Sequence, residues 1–138
     1  MKRILIIVVI ALAIPIGGYF GYGYYQDKAA AAEEAKKIEE IALKRFMTDT
    51  ITTNLATNEF SIVQFAVEME EVEGREQLDH YSPEVRAAVI STMTSLTRED
   101  VQGPKGLETL ETMMQTAVQD IVPDHKVVRV MVTEFKVQ

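Results

Sequence analysis

The sequence has no cysteine, only two histidines, and no glycine-rich loop opening a helix after a strand. Without cysteine there is no disulfide, no thiol nucleophile and no thiolate metal site. His80 and His125 do not form a metal-ligand spacing, and we interpret both as surface residues beside turns. The serines and threonines lack a G-x-S-x-G nucleophile motif. We therefore predict no enzymatic activity, no metal and no cofactor.

Acidic residues outnumber basic ones: the chain has 21 aspartates and glutamates and 14 lysines and arginines. The formal net charge of −7 repels phosphate backbones, so we predict no nucleic-acid partner. Four of the acids, Glu68, Glu70, Glu71 and Glu73, cluster at a predicted strand end. Their spacing lacks the Asp-x-Asp-x-Asp-Gly order of a calcium loop, which favours a solvated edge.

The longest feature present is an uncharged run. Lys2 and Arg3 precede Ile4–Tyr25, a stretch of 22 residues without a charge. A helix of that length spans roughly 33 Å, enough for a hydrocarbon core about 30 Å thick. The run begins aliphatic and ends with aromatic residues suited to a headgroup interface. Because the basic residues favour a cytoplasmic location for residues 1–3, the sequence predicts a single-pass membrane anchor with the remaining chain outside the cytoplasm.

A cleaved signal peptide is the competing interpretation, since it also begins with positive charge and an apolar core. Such a core is about 7–15 residues long, and a small-x-small cleavage site follows it closely. Here Ala11-Leu12-Ala13 lies too deep in the apolar run, and Ala29-Ala30-Ala31 follows a polar and aromatic segment. We therefore favour an uncleaved anchor. A third interpretation is a soluble protein with a buried amino-terminal helix.

Small residues recur at every fourth position of the predicted anchor. Ala13, Gly17 and Gly21 line one helix face, and small residues at this spacing let two membrane helices approach closely. We predict that this face mediates self-association or packing on a partner helix. The alternative is that these are simply small residues of an anchor.

Residues 26–47 are predicted to form a helical linker. Within them, Asp27–Phe46 is rich in helix-forming residues and contains no glycine or proline. A short apolar stripe alternates steps of four and three, as in a coiled-coil seam; its members are Ala31, Ala35, Ile38 and Ala42.

The linker is either a solvated spacer or a helix that packs on copies of itself or on a neighbouring membrane protein. Ile38, Ile41 and Phe46 are apolar side chains that a solvated spacer does not need, and we predict them as partner contacts. The alternative is that they pack against their own domain.

Residues 48–138 are predicted to form one α+β domain, a small, mostly antiparallel sheet covered by two helices. Polar Glu71–His80, which contains Gly74, is predicted to be a loop, and the hydroxyl of Ser82 is predicted to cap the first helix. In the last strand, Val128, Val130 and Val132 are expected to alternate inward. The predicted elements are strands Thr50–Leu55 and Ser61–Glu70 as a hairpin, one helix from Ser82 to Leu96, a second from Leu107 to Ile121, and strand Lys126–Gln138.

The order of these motifs resembles the family of the flagellar basal-body protein FliL. The closing strand, Val130–Gln138, contains Thr-Glu-Phe and ends in Gln, as is typical of that family. Asn54-Leu55 resembles the end of a family strand. Pro83–Asp100 is similar to the first family helix with its turn, and Gly106–Leu110 to the start of the second.

The resemblance implies a single-pass protein of the inner (cytoplasmic) membrane whose stomatin/prohibitin-like domain, residues 48–138, is periplasmic at the flagellar basal body. It also implies association with flagellar stator proteins, support of torque, swimming or swarming, and a homo-oligomer that is ring-like in some members. The alternative function is a membrane-tethered periplasmic scaffold, or a subunit of another envelope transport or secretion complex.

Overall fold

The uncharged run and the charged linker form one helix, α1 (Lys2–Leu43), in the computed structural model of the chain. The structure describes the backbone of residues 2–138 and the side chains of residues 17–19 and 21–138. On α1, Lys37 Nζ lies 3.6 Å from Glu33 Oε1, an i,i+4 pair in the favourable order. The prediction that the helix continues to Phe46 is wrong, because the residues after Lys44 join the sheet.

The chain divides into two compact units, residues 1–40 and 41–138, and the second contains the α+β domain. Its small antiparallel sheet is as predicted, whereas three helices, not two, accompany the sheet in the described part of the chain. The domain elements are β1 (Arg45–Met47), β2 (Ile51–Asn54), β3 (Phe60–Met69), α2 (Val72–His80), α3 (Ser82–Ser95), α4 (Gly103–Ile121) and β4 (Val127–Val137).

Strand β3 is the centre of the sheet. It pairs with β4 along one side, while β1 and β2 share its other side, all antiparallel. The predicted β2–β3 hairpin is confirmed. Between β1 and β2, the Thr48 N–H donates to the Phe65 carbonyl at 2.9 Å, and the Phe65 N–H donates to Thr48 Oγ1 at 3.0 Å. A buried side-chain hydroxyl thus continues the hydrogen-bonded ladder where the edge strand is interrupted.

Strand β4 contains two irregularities that the predicted alternation missed. Glu68 and Met69 of β3 pair with Arg129 and Val127, so Val128 is an extra residue and is 44% exposed. A second shift leaves Thr133 without a register partner in β3, although its hydroxyl donates to the Gln64 carbonyl at 3.1 Å. Because each bulge reverses which side chains face inward, Val127 and Val130 are buried and the prediction of an inward Val128 is wrong.

The core lies between the inner sheet face and the helices. As predicted, alternate residues of β3 point inward, and α3 and α4 add apolar residues at helical spacing. Ala88, Leu107 and Ile121 are only half-buried. The fully buried large side chains are Ile51, Val63, Phe65, Val67, Met69, Leu78, Val85, Val89, Met93, Val101, Leu110 and Met114.

Helix α2 replaces the predicted loop. Leu78 is its one fully buried apolar side chain, and Arg75 and Asp79 form an exposed ion pair at 3.2 Å, so composition alone resembled a loop. Gly74 is buried, and a Cβ atom there would lie 2.9 Å from His125 Cβ and 2.9 Å from Met69 Cε. Position 74 requires glycine because His125 and Met69 pack closely against helix α2. This glycine does not mark a turn.

The two longer domain helices begin differently from the prediction. Only Tyr81 separates α2 from α3, and its carbonyl already accepts the Val85 N–H at 3.0 Å. Ser82 therefore lies inside α3 and makes no capping hydrogen bond. Helix α4 begins at Gly103, whose φ of +74° lies in the left-handed region that favours glycine. The helix therefore begins four residues before the predicted start at Leu107, and Gly103–Gly106 forms its first turn.

Candidate interaction surfaces

Within the part of the chain whose side chains are described, no group of three or more histidine, cysteine, aspartate or glutamate residues could hold a metal ion. His80 is exposed as predicted, but His125 is only 18% exposed in its side chain and lies against α2. His125 Nδ1 is buried without a hydrogen bond, and Glu71 Oε2 lies 3.7 Å away. The prediction of a surface histidine is wrong for His125, because Gly74 leaves room for its ring.

Two acids of the cluster face basic residues at the start of β4 and just before it. Glu68 pairs with Arg129 at 2.9 Å and Glu70 with Lys126 at 3.5 Å. These pairs follow the β3–β4 register and connect the two strands. Glu68 and Glu70 are accordingly part of the ion pairing between these strands.

The predicted oligomerisation face is only partly described. Ala13 lies outside the residues whose side chains are described. A Cβ atom added at Gly17 or Gly21 would meet nothing within 4 Å among the described residues. Neither glycine is therefore filled by packing within the described chain.

Most of the predicted anchor, Ile4–Tyr25, also lies outside the described side chains. Among the residues described, no helix combines the length and apolar character needed to cross a membrane.

The three predicted linker contacts separate into two kinds. On α1, Ile38 is 68% exposed and Ile41 is 37% exposed. Phe46 is instead 6% exposed, because it lies on β1, opposite Val67, and enters the core. The structure therefore corrects the placement of Phe46, and only Ile38 and Ile41 remain as candidate contacts on the linker.

A cavity of about 380 Å³ lies beside the interruption between β1 and β2. Exposed Met47, Asp49 and Arg86 contribute to its lining, together with Pro83 at the start of α3. No pattern in the sequence indicates this cavity, because its walls come from four separate elements, β1, β2, α2 and α3.

Helix α4 covers the first half of the outer β4 edge with a polar row at four-residue spacing. The Val132 N–H donates to Glu111 Oε1 at 2.9 Å, and Gln115 Nε2 donates to the Val128 carbonyl at 3.2 Å. Gln119 Oε1 accepts the N–H of Val127 at 3.0 Å. These side chains satisfy edge groups that a neighbouring strand would otherwise pair. Only the spatial arrangement reveals this role, since polar residues on a helix usually indicate solvent.

These elements define the class of protein: an α+β domain that follows a long helix and has surfaces suited to contacts with other proteins. Residues 45–138 match the family described as "Flagellar basal body-associated protein FliL". Over 126 residues the chain is 27% identical to "Flagellar protein FliL" of Bacillus subtilis (strain 168), covering 91% of this chain and 88% of that protein. The chain belongs to the FliL family, which supports a flagellar accessory role and a flagellar location.

Proposed function

We propose that this protein is a flagellar motor accessory protein that associates with the stator and supports its active state for torque, swimming or swarming. Residues 4–25 anchor it in the inner membrane, residues 1–3 are cytoplasmic, and the domain is periplasmic and stomatin-like. Copies assemble into a homo-oligomeric, ring-like scaffold. The observation that carries the proposal is the family match over the whole α+β domain.

Exposed apolar residues on α1 support a partner contact at the linker. Ile38 and Ile41 project isoleucine side chains from a charged, exposed segment, where water contact is unfavourable. We assign to them a contact with the stator. Phe46 has no part in it, because its side chain belongs to the domain core.

Deletion of the gene tests the motility role. We expect reduced spreading in soft agar and reduced swimming under viscous load, both restored by the wild-type gene. Unchanged motility in both assays would contradict the flagellar role and favour the scaffold or secretion-complex alternative.

Substitution of the linker tests the contact itself. Ile38→Glu should weaken stator co-purification while the domain stays folded, because a charge replaces an apolar contact. Ala32→Glu is the matched control, since it adds the same charge at another exposed α1 position. Equal stator recovery from both variants would remove the linker as the main contact.

An enzyme fusion tests the topology. Alkaline phosphatase placed after Gln138 should be active if the domain is periplasmic, because this enzyme needs an oxidising compartment to form its disulfides. An inactive but full-length fusion would contradict the proposed orientation.

A further inference from the structure

The second half of the β4 edge differs from the half that α4 covers. The Gln138 N–H donates to the Phe60 carbonyl at 2.8 Å, and the Phe60 N–H donates to the Gln138 carbonyl at 3.1 Å, so Gln138 faces β3. Backbone direction alternates along an antiparallel strand, so the N–H and C=O groups of Phe135 and Val137 point away from β3. The side-chain hydrogen bonds from α4 reach this edge only as far as Val132. Residues 133–137 form the segment that we call the open edge.

A groove of mixed polarity runs beside the open edge. Its volume is about 230 Å³, and near the start of α4 the polar side chains of Arg98 and Gln102 line it together with apolar Val101, Leu107, Phe135 and Val137. Phe135 and Val137 pair with inward-facing residues of β3, so their side chains lie on the helix side of the sheet. An added strand would place its own alternate side chains on that side, over the groove.

Charges along the open edge select the strand that fits it. Glu134 and Lys136 project from the opposite sheet face, and they pair with each other at 2.8 Å in the single chain. If two copies of β4 lie antiparallel with Phe135 opposite Phe135, Glu134 of each copy faces Lys136 of the other. Opposite charges directly across two strands are stabilising, whereas sliding one strand by two residues, so that the axis passes through Lys136, brings the two Lys136 side chains together.

We propose that the open edge, residues 133–137, pairs with the open edge of a second copy around a two-fold axis at Phe135. The two four-stranded sheets then join into one, and the phenylalanines of both copies cover the grooves. This contact is isologous, so it joins copies in pairs, and the ring-like scaffold needs a second, separate contact between pairs. The inference rests on the homo-oligomeric part of the proposed function and names the surface that forms the contact.

Cysteine cross-linking in the full chain tests the pairing directly, because the sequence has no other cysteine. Opposite residues of a hydrogen-bonded antiparallel pair have Cα atoms about 5.5 Å apart, within the range for a disulfide. Mild oxidation of Phe135→Cys should therefore give a covalent dimer as the main product. Val128→Cys is the matched control, an exposed position on the same strand beside the α4-covered half, and it should remain monomeric.

Equal dimer yields from the two cysteine variants would overturn the proposal. So would the absence of a dimer from Phe135→Cys in a chain whose near-ultraviolet circular dichroism is unchanged. Cross-linking reports on this contact alone, so the pairing and the motility role can fail separately.

Charge exchange provides a second test that leaves Phe135 in place. Glu134→Lys and Lys136→Glu each create like-charge pairs across the axis and should weaken association of the full chain in mild detergent roughly tenfold. The double variant should restore it, and so should an equal mixture of the two single variants, in which every charge meets its opposite. Sedimentation at several concentrations measures this. Equal association in all samples, or no rescue by the mixture, would overturn the two-fold register.

Discussion

Glycines in the two units of the chain have opposite surroundings. In the domain, a Cβ atom at Gly106 would lie 2.5 Å from the Val101 carbonyl carbon, and one at Gly74 would lie 2.9 Å from two side-chain atoms. On α1, a Cβ at Gly17 or Gly21 would meet nothing described within 4 Å. In the domain, the small size of Gly74 and Gly106 therefore allows other parts of the same domain to pack closely against them. On α1 the same property leaves space for another helix, as the proposed oligomer requires.

Gly106→Ala should have the largest effect on the domain. The added methyl group meets backbone atoms of Asp100 and Val101, which cannot rotate away as a side chain can. We expect a loss of about 3 kcal/mol in the free energy of unfolding, more than the gain of about 1 kcal/mol from helix propensity. Thermal unfolding of the full chain, followed by near-ultraviolet circular dichroism, measures it. An unfolding temperature equal to wild type would contradict the tight contact.

Gly74→Ala should have a smaller effect. Its new methyl group meets Met69 Cε, the flexible end of a side chain, and the ring-bearing Cβ of His125. Partial rearrangement of Met69 and the gain in helix propensity offset much of the clash, leaving a net loss of about 1 kcal/mol. The same unfolding measurement applies. A loss as large as that of Gly106→Ala would show that Met69 does not move.

Asp100→Asn tests the turn whose backbone packs on Gly106. Asp100 Oδ2 accepts the Thr97 N–H at 2.8 Å and the Thr97 hydroxyl at 2.7 Å, and these hydrogen bonds lower the pKa of Asp100 below its usual value. The stabilisation is complete above the unfolded pKa of about 3.9 and is lost as pH falls through the lower folded value. We expect a slightly lower unfolding temperature for the variant at neutral pH, and a smaller difference in acid. If the difference in unfolding temperature between wild type and variant became larger in acid, the predicted direction of the pH dependence would be wrong.

Gly17→Leu combined with Gly21→Leu should leave unfolding of the domain unchanged, because an added Cβ atom at either position would meet nothing described within 4 Å. The pair should instead weaken association of the full chain in mild detergent. Gly18→Leu with Gly23→Leu is the matched control, since those glycines are equally open but lie off the predicted face. If both pairs weaken association equally, the four-residue face has no special role.

Periodicity predicted the parts of the fold that depend on one buried face. The alternation in β3 and the helical spacing in α3 and α4 reflect burial against a single neighbouring layer, so pattern alone was sufficient. Helix α2 escaped prediction because it buries little and uses Gly74 for a close contact with residues distant in sequence. The bulges at Val128 and Thr133 depend on the partner strand, which periodicity within β4 cannot report.

The candidate surfaces were predictable to different degrees. The candidate contacts Ile38 and Ile41 were predictable, because apolar residues within a charged helix are a local signal in the sequence, and both are exposed. Phe46 was misplaced because three residues after a helix can turn into a sheet edge without glycine or proline. The α4 row and the open edge join residues that are far apart in sequence, so only the folded arrangement shows them together.

The interruption at Thr48 has a mechanical consequence. Helix α1 ends at Leu43 and Lys44 leads directly into β1, so tension transmitted along the helix is passed to a strand of three residues. Because Thr48 separates β1 from β2, β1 and the Phe46 side chain can detach from β3 without pulling β2 from the sheet. We therefore expect the domain to yield to tension first at β1, before the β2–β3 hairpin separates.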